Sequence, residues 1–489
     1  MNDLLRDIGQ AGPATQVILQ SGADSLTRKS LQGKVETLAA RLRDLNVRSV
    51  ALFADNGIDW IVTDLACQIG GIRIIPIPLF FSASQIRHSV ATSGVDALIS
   101  DQQVTADTFD GISPADADQT GSTTKLYLLG AEKRAFVPVG TQKITFTSGT
   151  TGTPKGVCLS AKQQQLLAKT LASTIGRNSE KHLCVLPLST LLENLAGVYA
   201  PLLSGATVIV PSLKDVGLTG SSQLDVEQLL GCIAQHEPNS LILVPEILRA
   251  ITVATECGWR PPSSLHFVAV GGGKVAPELL HRAHQAGLPA FEGYGLSECA
   301  SVVTLNTPES NRVGAVGRAL PHVNVQIENG EIVVTGSSFL GYIGQPETWK
   351  SVPVRTGDIG QIDADGFVYV NGRAKNQLIT SYGRNISPEW VESELLAGPL
   401  LSHAIVIGEA RAFCTALVVA QQESTTDEEI SAWIRTANQQ LPDYAHVVDW
   451  QRMPAAAINK GGVDRAGIEI QHHPIIEQMY AINQEVSNQ

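Results

Sequence analysis

The sequence predicts an α/β fold: a large N-terminal domain of doubly wound parallel sheets with an antiparallel β subdomain, followed by a small mobile α+β lid domain at the C-terminus. Three observations support this fold class. Strand and helix patterns alternate up to about residue 290, which is typical of parallel sheets with helices on both faces. Short strands separated by turn residues follow Gly330, and helix and strand patterns mix again after residue 374.

The N-terminal elements are predicted from the spacing of apolar residues. Apolar residues three to four positions apart indicate helices, whereas short continuous apolar runs indicate buried strands. The predicted helices are Arg28–Leu45, Trp60–Ile69, Gln85–Thr92, Val226–Gln235 and Pro277–Ala286. The predicted strands are Ser49–Phe53, Ile72–Ile77, Ala97–Ser100, Ser240–Val244 and Leu265–Val270. Gly287 is placed to end the last of these helices, because glycine adopts the left-handed conformation at little cost.

The later elements predict a change of architecture. Three short strands are predicted after Gly330, and Asp363–Gly366 between the last two has the composition of a hairpin turn. These strands are Glu331–Thr335, Gly360–Ile362 and Phe367–Val370. Beyond them, the predicted helices are Pro388–Ala397 and Thr426–Leu441, and the predicted strands are His403–Ile407 and Ala416–Val419. We therefore predict an N-terminal domain of residues 1–373 and a lid domain of residues 374–489.

Composition and charge exclude several classes of protein. The 489 residues include 35 Lys and Arg against 47 Asp and Glu, a net charge of −12, which argues against a broad nucleic-acid-binding surface. The seven cysteines are scattered without a CxxC pair, so a disulfide framework or zinc ribbon is not expected. No signal peptide is predicted, and no uncharged apolar run reaches the roughly 18 residues of a membrane span. We expect a cytoplasmic protein.

The stretch Ile144–Gly156, ITFTSGTTGTPKG, is the most informative in the chain. Backbone amides freed by glycine and a row of hydroxyls are suited to wrapping phosphate oxygens, and Lys155 adds a positive charge. This is not the P-loop GxxxxGK[ST], since Pro154 precedes the lysine and Val157–Leu159 has a strand pattern where that motif needs a helix. A flexible surface loop is the alternative, but a string of this length and composition favours phosphate binding.

Four further motifs follow in order. They are Tyr294–Glu298 (YGLSE), Arg355–Asp358 (RTGD), Gly372–Asn376 (GRAKN), and Asn385–Pro388 (NISP) with Val391 and Glu392. Together with the phosphate loop, they resemble the motifs of the adenylate-forming superfamily, which includes acyl- and aryl-CoA synthetases, free-standing adenylation domains and luciferases. The resemblance covers residues 20 to 465. It implies ATP-dependent activation of a carboxylic acid to acyl-AMP with release of pyrophosphate, followed by transfer of the acyl group to a thiol, most simply that of coenzyme A.

The resemblance also implies a role for each motif residue. The implied nucleotide-binding residues are Thr147, Ser148, Gly149, Thr150, Thr151, Gly152, Thr153, Lys155, Gly272, Gly273, Tyr294, Gly295, Ser297, Asp358 and Arg373. Thr150 and Glu298 are the implied ligands of Mg²⁺, a cation that prefers oxygen donors, and both count with Lys460 as catalytic residues. Asp358 is expected to bind the ribose hydroxyls, and Tyr294 to pack on the adenine. Lys375 is the implied hinge of the lid.

Two segments depart from the usual pattern. The "LPL…E" segment Leu186–Glu193 is similar to that of long-chain acyl-CoA synthetases, but Thr190 stands where an aromatic residue or histidine is often found. The lysine near the C-terminus normally has an arginine three residues on, whereas Lys460 and Arg465 are five apart. Lys460 is still the only lysine after Lys375, so a lysine supplied by the lid is Lys460.

The expected substrate follows from the implied acyl wall. Its predicted residues are Leu191, Leu192, Leu195, Gly271 and Val302, and none is charged. An amino-acid substrate needs a carboxylate to pair its ammonium group, because a buried unpaired charge is costly. We therefore expect a medium- or long-chain fatty acid, as in the long-chain type of acyl-CoA synthetase, with an aryl acid as the next choice.

Three alternatives stay open from the sequence. The first is an enzyme that loads an acyl or aryl acid onto a carrier protein instead of coenzyme A. The second is a non-catalytic sensor of nucleotide or acyl-AMP, suggested by the unusual Lys460 segment. The third, an unrelated phosphotransferase, is disfavoured by the missing P-loop lysine pattern. The expected partners are small molecules and a thiol acceptor rather than nucleic acid, and the chain is expected to be a monomer or homodimer.

Overall fold

The structure is a computed structural model of the whole chain. It describes residues 3–104, 109, 118–119, 123–129, 135–147, 154–175, 180–220, 223–349, 353–381, 384–454, 467–468, 471–477 and 479–480.

The first large sheet has nine strands and a parallel centre. From one edge to the other its strands are Arg318–Ala319, Thr304–Leu305, Ala290–Tyr294, Phe267–Val270, Ser240–Leu243, Lys181–Leu183, Thr207–Ile209, Val17–Ser21 and Asp24–Thr27. The six strands from Ala290–Tyr294 to Val17–Ser21 pair in parallel, and the edges are antiparallel. Parallel strands expose both faces to helices, which explains their continuous apolar runs.

A second sheet has eight strands and repeats this design. Its strands, in order, are Gly341–Tyr342, Lys155–Ser160, Thr141–Thr147, Arg73–Pro76, Ser49–Phe53, Ala97–Ser100, Lys125–Leu128 and Asp118–Gln119. The four central strands pair in parallel. Lys155–Ser160 is a strand, as predicted, and pairs with Thr141–Thr147 in a hairpin whose connection carries the predicted phosphate loop.

The remaining sheets are smaller. An antiparallel sheet contains Val323–Glu328, Glu331–Gly336, Val354–Ile362 and Val368–Arg373, and a three-stranded sheet contains Leu401–Ile407, Cys414–Ala420 and Val447–Arg452. Two-stranded ribbons pair Leu218–Thr219 with Gln223–Leu224 and Leu378–Ile379 with Asn385–Ile386. The predicted turn Asp363–Gly366 joins the last two strands of the antiparallel sheet.

The helices lie between the strands along the chain. The α-helices are Asp3–Gln10, Arg28–Asp44, Ile58–Gly70, Ala83–Ser93, Ala161–Ile175, Ala200–Ser204, Val226–His236, Pro245–Glu256, Pro277–Gln285, Pro388–Leu395 and Asp427–Asn438. Short 3₁₀ turns lie at Ser297–Cys299, Pro346–Thr348 and Asp443–Ala445, and residues Leu192–Tyr199 form a π-helix. None of the helices in the described part of the chain is long and apolar enough to cross a membrane.

The predicted fold class is confirmed, and most predicted elements appear within a few residues of their expected bounds. Gly287 follows helix Pro277–Gln285 with φ +84°, in the left-handed region that favours glycine. The buried core is divided near the predicted hinge. The buried residues of two apolar clusters all come from Leu378 or later in the chain. The buried residues of the other three clusters all come before Leu378, except for Ala397.

Candidate active site

A cavity of about 230 Å³ lies on one face of the nine-stranded sheet, at the ends of its central strands. Its sheet side is built from alternate residues Phe267, Ala269 and Gly271, because side chains two positions apart in a strand point the same way. From Phe267 to Gly271 the strand advances about 13 Å, at roughly 3.3 Å per residue. The cavity is therefore elongated along the strands.

Mostly small residues on the facing helices line this space. They recur at intervals of four along the π-helix Leu192–Tyr199 and helix Ala200–Ser204, as Leu192, Ala196, Ala200 and Ser204. Leu191, Leu192, Gly271 and Val302, all predicted for the acyl wall, line the cavity. Leu195, predicted with them, is fully buried in the apolar core and is absent from the lining among the described residues.

The same cavity includes residues that the motifs assign to the nucleotide. Gly272, Tyr294, Gly295 and Ser297 line it beside the acyl-wall residues. Gly273 lies next to Gly272 and packs against Pro245. The structure thus brings the two predicted sets of residues to one continuous space.

Tyr294, Asp358 and Arg373 form a hydrogen-bonded group next to this space. The Tyr294 hydroxyl donates to Asp358 Oδ2 at 2.6 Å, and Arg373 Nε lies 2.8 Å from Asp358 Oδ1. Asp358 is 4% exposed, and its burial raises the pKa of the carboxyl, an effect that Tyr294 and Arg373 oppose. Burial, and then the neighbouring Asp358, raises the pKa of the Tyr294 hydroxyl. The phenol therefore stays protonated and holds the carboxylate in place.

Glu298 has a neutral partner that the sequence analysis missed. The Tyr342 hydroxyl donates to Glu298 Oε1 at 2.7 Å, and Lys155 Nζ lies 5.7 Å from the centre of the Tyr342 ring. Glu298 makes no ion pair with any residue whose position the structure describes. A half-buried carboxylate without a cationic partner suits a divalent cation, which prefers hard oxygen donors.

The backbone around Glu298 is tightly constrained. A Cβ at Gly295 would lie 1.5 Å from the carbonyl oxygen of Ser301, so only glycine fits there. Ala300 and Ser301 have φ values of +62° and +120°, which non-glycine residues rarely adopt. Strained backbone of this kind persists where the surrounding structure fixes it, often at functional sites.

Several predicted residues lie outside the described part of the chain. These are Ser148, Gly149, Thr150, Thr151, Gly152 and Thr153 of the phosphate loop, and Lys460. Thr147 and Lys155, which flank the loop, are direct partners across the hairpin Thr141–Thr147 and Lys155–Ser160. Both ends of the loop are thereby held at one end of the eight-stranded sheet, and Lys155 is directed towards Tyr342.

The segment after Lys375 packs against the larger part of the chain near this site. Helix Pro388–Leu395 starts close to Gly372, where a Cβ would lie 2.1 Å from Ser387 Oγ. The negative charge of Glu389, in its first turn, contributes to raising the pKa of Asp358. At the other end of the helix, Arg249 donates to the carbonyl oxygens of Gly398 and Leu401, and Arg282 to that of Ala397. Two arginines thus bind backbone carbonyls of the segment that connects this helix to strand Leu401–Ile407.

Three ionisable side chains lie along the same contact, the buried Glu292 and Glu394 and the half-buried Lys274. Lys274 follows the glycines of the cavity and faces Glu292 and Glu394, and its Nζ donates to the Val370 carbonyl at 2.6 Å. Burial raises the pKa of both Glu292 and Glu394 to about 7, and Lys274 opposes this in each case. Burial lowers the pKa of Lys274. No motif pointed to this group, because its members lie far apart in sequence.

Comparison with known proteins identifies the family. The protein-family model described as "AMP-binding enzyme" matches residues 7–343, and the model described as "AMP-binding enzyme C-terminal domain" matches residues 375–484. The chain belongs to the AMP-binding enzyme family. The first match ends at residue 343, and the second begins at Lys375, the predicted hinge.

Individual relatives of this AMP-binding enzyme differ in their substrates. It is 29% identical to a feruloyl-CoA synthase from Amycolatopsis sp, over 90% of this chain and 93% of the relative. It is 26% identical to the long-chain-fatty-acid–CoA ligase FadD15 of Mycobacterium bovis, over 80% of this chain and 76% of the relative. A crystal structure of o-succinylbenzoate coenzyme A synthetase from Bacillus subtilis, in complex with ATP and a magnesium ion, has a similar fold, with a TM-score of 0.74, 22% identity, and coverage of 92% and 95%.

Proposed function

We propose that this AMP-binding enzyme is an AMP-forming acid–thiol ligase. In the first step, the carboxylate attacks the α-phosphorus of ATP, giving acyl-AMP and pyrophosphate. In the second, the thiol of coenzyme A attacks the acyl carbon, giving the acyl thioester and AMP. The observation that carries this proposal is the single cavity in which acyl-wall residues and nucleotide-motif residues meet. The two sequence relatives, named as a feruloyl-CoA synthase and a long-chain-fatty-acid–CoA ligase, support the same reaction.

Each described residue has a role that its surroundings support. Asp358, held by Tyr294 and Arg373, accepts hydrogen bonds from the ribose hydroxyls. Glu298, held by Tyr342, supplies an oxygen ligand to Mg²⁺ with Thr150 of the phosphate loop. When bound by these residues, Mg²⁺ would supply positive charge that offsets the phosphate charge facing the incoming carboxylate. Lys155 and the loop residues surround the phosphates, and Lys460 adds a cation in the first step.

We assign residues 1–373 and 374–489 to two domains that rotate about Lys375 between the steps. The division of the apolar core near residue 378 supports this boundary. In the structure, the segment around Ser387 and Glu389 lies next to Gly372 and Asp358. We interpret this as the orientation for the thiol-transfer step, with the segment 383–387 along the path of the pantetheine chain.

For the acid, we propose a medium- or long-chain fatty acid. The described residues that line the cavity include no Asp, Glu, Lys or Arg, so a second carboxylate or an ammonium group on the substrate would lack a charged partner. A depth of about 13 Å corresponds to roughly ten carbon–carbon bonds of about 1.5 Å along an extended zigzag chain. The similarity to a feruloyl-CoA synthase favours an aryl acid as the second candidate.

Acid-dependent ATP–pyrophosphate exchange tests this proposal. The panel consists of the linear acids from hexanoate to palmitate, benzoate, cinnamate, succinylbenzoate and several amino acids. Each buried methylene contributes about 0.8 kcal/mol, so kcat/KM should rise about threefold to fourfold per carbon until the cavity is full. A preference for aryl acids would replace the fatty-acid assignment by the second candidate. Absence of exchange with every acid would contradict the ligase itself. Addition of coenzyme A or a carrier protein then identifies the acceptor.

A further inference from the structure

The cavity has a polar side at the end away from the nucleotide-motif residues. His182 and Ser240 line it there, at the level of Phe267, and are 2% and 5% exposed. Gly271 follows the strand that begins at Phe267, and Tyr294 ends the parallel strand next to it, so both lie at the opposite end of the sheet from His182 and Ser240. Most of the surface between the two ends is apolar, including Leu192, Ala196, Ile242 and Ala269. A few placed polar groups in an otherwise apolar pocket fix the orientation of a ligand.

These two residues belong to a hydrogen-bonded chain. His182 Nδ1 lies 2.9 Å from Ser240 Oγ, and His182 Nε2 lies 3.0 Å from Glu193 Oε1. The other oxygen of Glu193 accepts from the backbone N–H of Leu186 at 2.9 Å. Glu193 is fully buried and fixes the ring orientation of His182 from behind the cavity wall.

The local backbone is shaped around this chain. Glu193 lies in the π-helix Leu192–Tyr199. A π-helix is rare in proteins, and where one occurs it is often at a functional site. A Cβ at Gly197 would lie 2.0 Å from Glu193 Oε1 and 2.7 Å from His182 Nε2, so the pair needs glycine there. A buried ionisable pair and a π-helix both cost stability compared with apolar residues in an α-helix. A role in recognising a ligand gives a reason for keeping them.

We infer that Ser240 and His182, positioned by Glu193, form a hydrogen-bonding site for a hydroxyl group at the far end of the acid's chain. This inference rests on the proposed function, which places the carboxylate of the acid at the Gly271 end. His182 Nε2 faces Glu193, and His182 Nδ1 shares one hydrogen bond with the Ser240 hydroxyl. An alcohol can both donate and accept, so it can pair with Ser240 Oγ whichever atom of the His182–Ser240 pair carries the proton. A methyl group cannot pair there, and a methoxy group offers no donor, so the preferred group is an alcohol.

Matched substrates test the inference without altering the protein. The linear panel first gives the best chain length. At that length, the ω-hydroxy acid is compared with the unsubstituted acid one carbon longer, which has the same number of chain atoms, and with the ω-methoxy acid. We expect kcat/KM in acid-dependent pyrophosphate exchange to favour the hydroxy acid by about tenfold or more, because a site built for a hydroxyl rejects analogues without it. A hydroxyl on an aromatic ring is tested in parallel with cinnamate and 4-hydroxycinnamate, and a preference confined to that pair would overturn the linear-chain assignment.

The Ser240→Ala variant assigns the effect to this site. It should lower the preference for the hydroxy acid to about twofold or less, measured as the ratio of kcat/KM for the two acids within the same variant. Ser89→Ala is the matched control, since Ser89 is also buried but bonds to Gln85 within its own helix. Thermal unfolding of both variants checks that they fold. If the wild-type protein is active with plain acids but has equal kcat/KM for the hydroxy and plain acids, this inference is wrong and the ligase proposal stays intact. If the wild-type protein shows no exchange with any acid, the ligase proposal is contradicted instead.

Discussion

The hydroxyl of Tyr294 donates a hydrogen bond to Asp358 across 64 positions of the chain, with 2.6 Å between the two oxygens. This contact joins the end of a strand in the nine-stranded sheet to the antiparallel sheet. It leaves Asp358 Oδ1 paired with Arg373, so both oxygens of the carboxylate are held in fixed directions. A fixed carboxylate beside the cavity is suited to orienting a diol such as the ribose of a nucleotide.

The first prediction concerns this carboxylate. Asp358→Ala should raise the KM for ATP by about tenfold or more, because hydrogen bonds to a charged group contribute roughly 1.5–3 kcal/mol. Tyr294→Phe should have a smaller effect in the same direction. Initial rates at varied ATP concentration measure both. Asp365→Ala, in the exposed hairpin of the same sheet, is the control. Unchanged ATP kinetics in Asp358→Ala would remove this residue from the nucleotide site.

The second prediction concerns Glu298 and its partner. Glu298→Gln should raise the Mg²⁺ concentration needed for half-maximal rate and lower kcat, since an amide is a weaker ligand than a carboxylate. Tyr342→Phe should shift the Mg²⁺ dependence by about tenfold, as expected when the residue that orients a metal ligand is lost. Rates over a Mg²⁺ titration measure both variants. If both give the wild-type Mg²⁺ curve, Glu298 is not a ligand.

How far the sequence predicts this site depends on the range of the interactions. The phosphate loop, Glu298 and Asp358 can be proposed from the sequence because each lies in a short local motif. Tyr342 and the Lys274 group are missed because they act through partners distant in sequence. Leu195 is expected in the acyl wall from the family resemblance, but residues Leu192–Tyr199 form a π-helix in which Leu195 is buried in the core and Ala196 lines the cavity. Tertiary contacts of Glu193 with His182 and of Asn194 with Asp64 favour that π-helix, and no local pattern encodes them.

The third prediction tests the packing around the π-helix. Gly197→Ala should lower the unfolding free energy by about 1–3 kcal/mol, because the added methyl overlaps Glu193 and His182. Gly231→Ala is the matched control, since a Cβ there meets nothing within 4 Å and Gly231 lies within helix Val226–His236. It should be neutral or stabilising by up to about 1 kcal/mol. Chemical denaturation of both variants measures the difference, and equal stabilities would contradict the close packing at Gly197.

The fourth prediction concerns pH. Burial raises the pKa of Glu292 to about 7 from 4.5, so the folded protein holds this proton more tightly than the unfolded chain does. Its contribution to stability is therefore present below about pH 4.5 and is lost as pH rises through about 7. Between about pH 4.5 and pH 7, the unfolding free energy of the wild type should fall by on the order of 1–3 kcal/mol more than that of Glu292→Gln. Denaturation at several pH values measures this, with exposed Glu227→Gln as control. Parallel pH profiles of wild type and Glu292→Gln would contradict it.

The fifth prediction assigns a different lysine to each of the two steps of the reaction. Lys460→Ala should slow acid-dependent pyrophosphate exchange by about 10²–10³ and affect thioester formation from supplied acyl-AMP much less. Lys375→Pro should do the reverse, because proline fixes φ near −65° at the hinge and hinders rotation. Exchange assays and assays with supplied acyl-AMP measure the steps separately. Equal losses in both steps for each variant would contradict the two-position lid.

The most direct test of the central claim is to detect the acyl-adenylate itself. Wild-type protein is mixed with ATP, Mg²⁺ and the best acid of the panel, without coenzyme A, and the quenched reaction is analysed by mass spectrometry. We expect acyl-AMP at up to one equivalent per protein with pyrophosphate released, and its replacement by the acyl thioester and AMP when coenzyme A is added. Formation of ADP and phosphate instead, or of no acyl-AMP with any acid that binds, would contradict an adenylate-forming ligase.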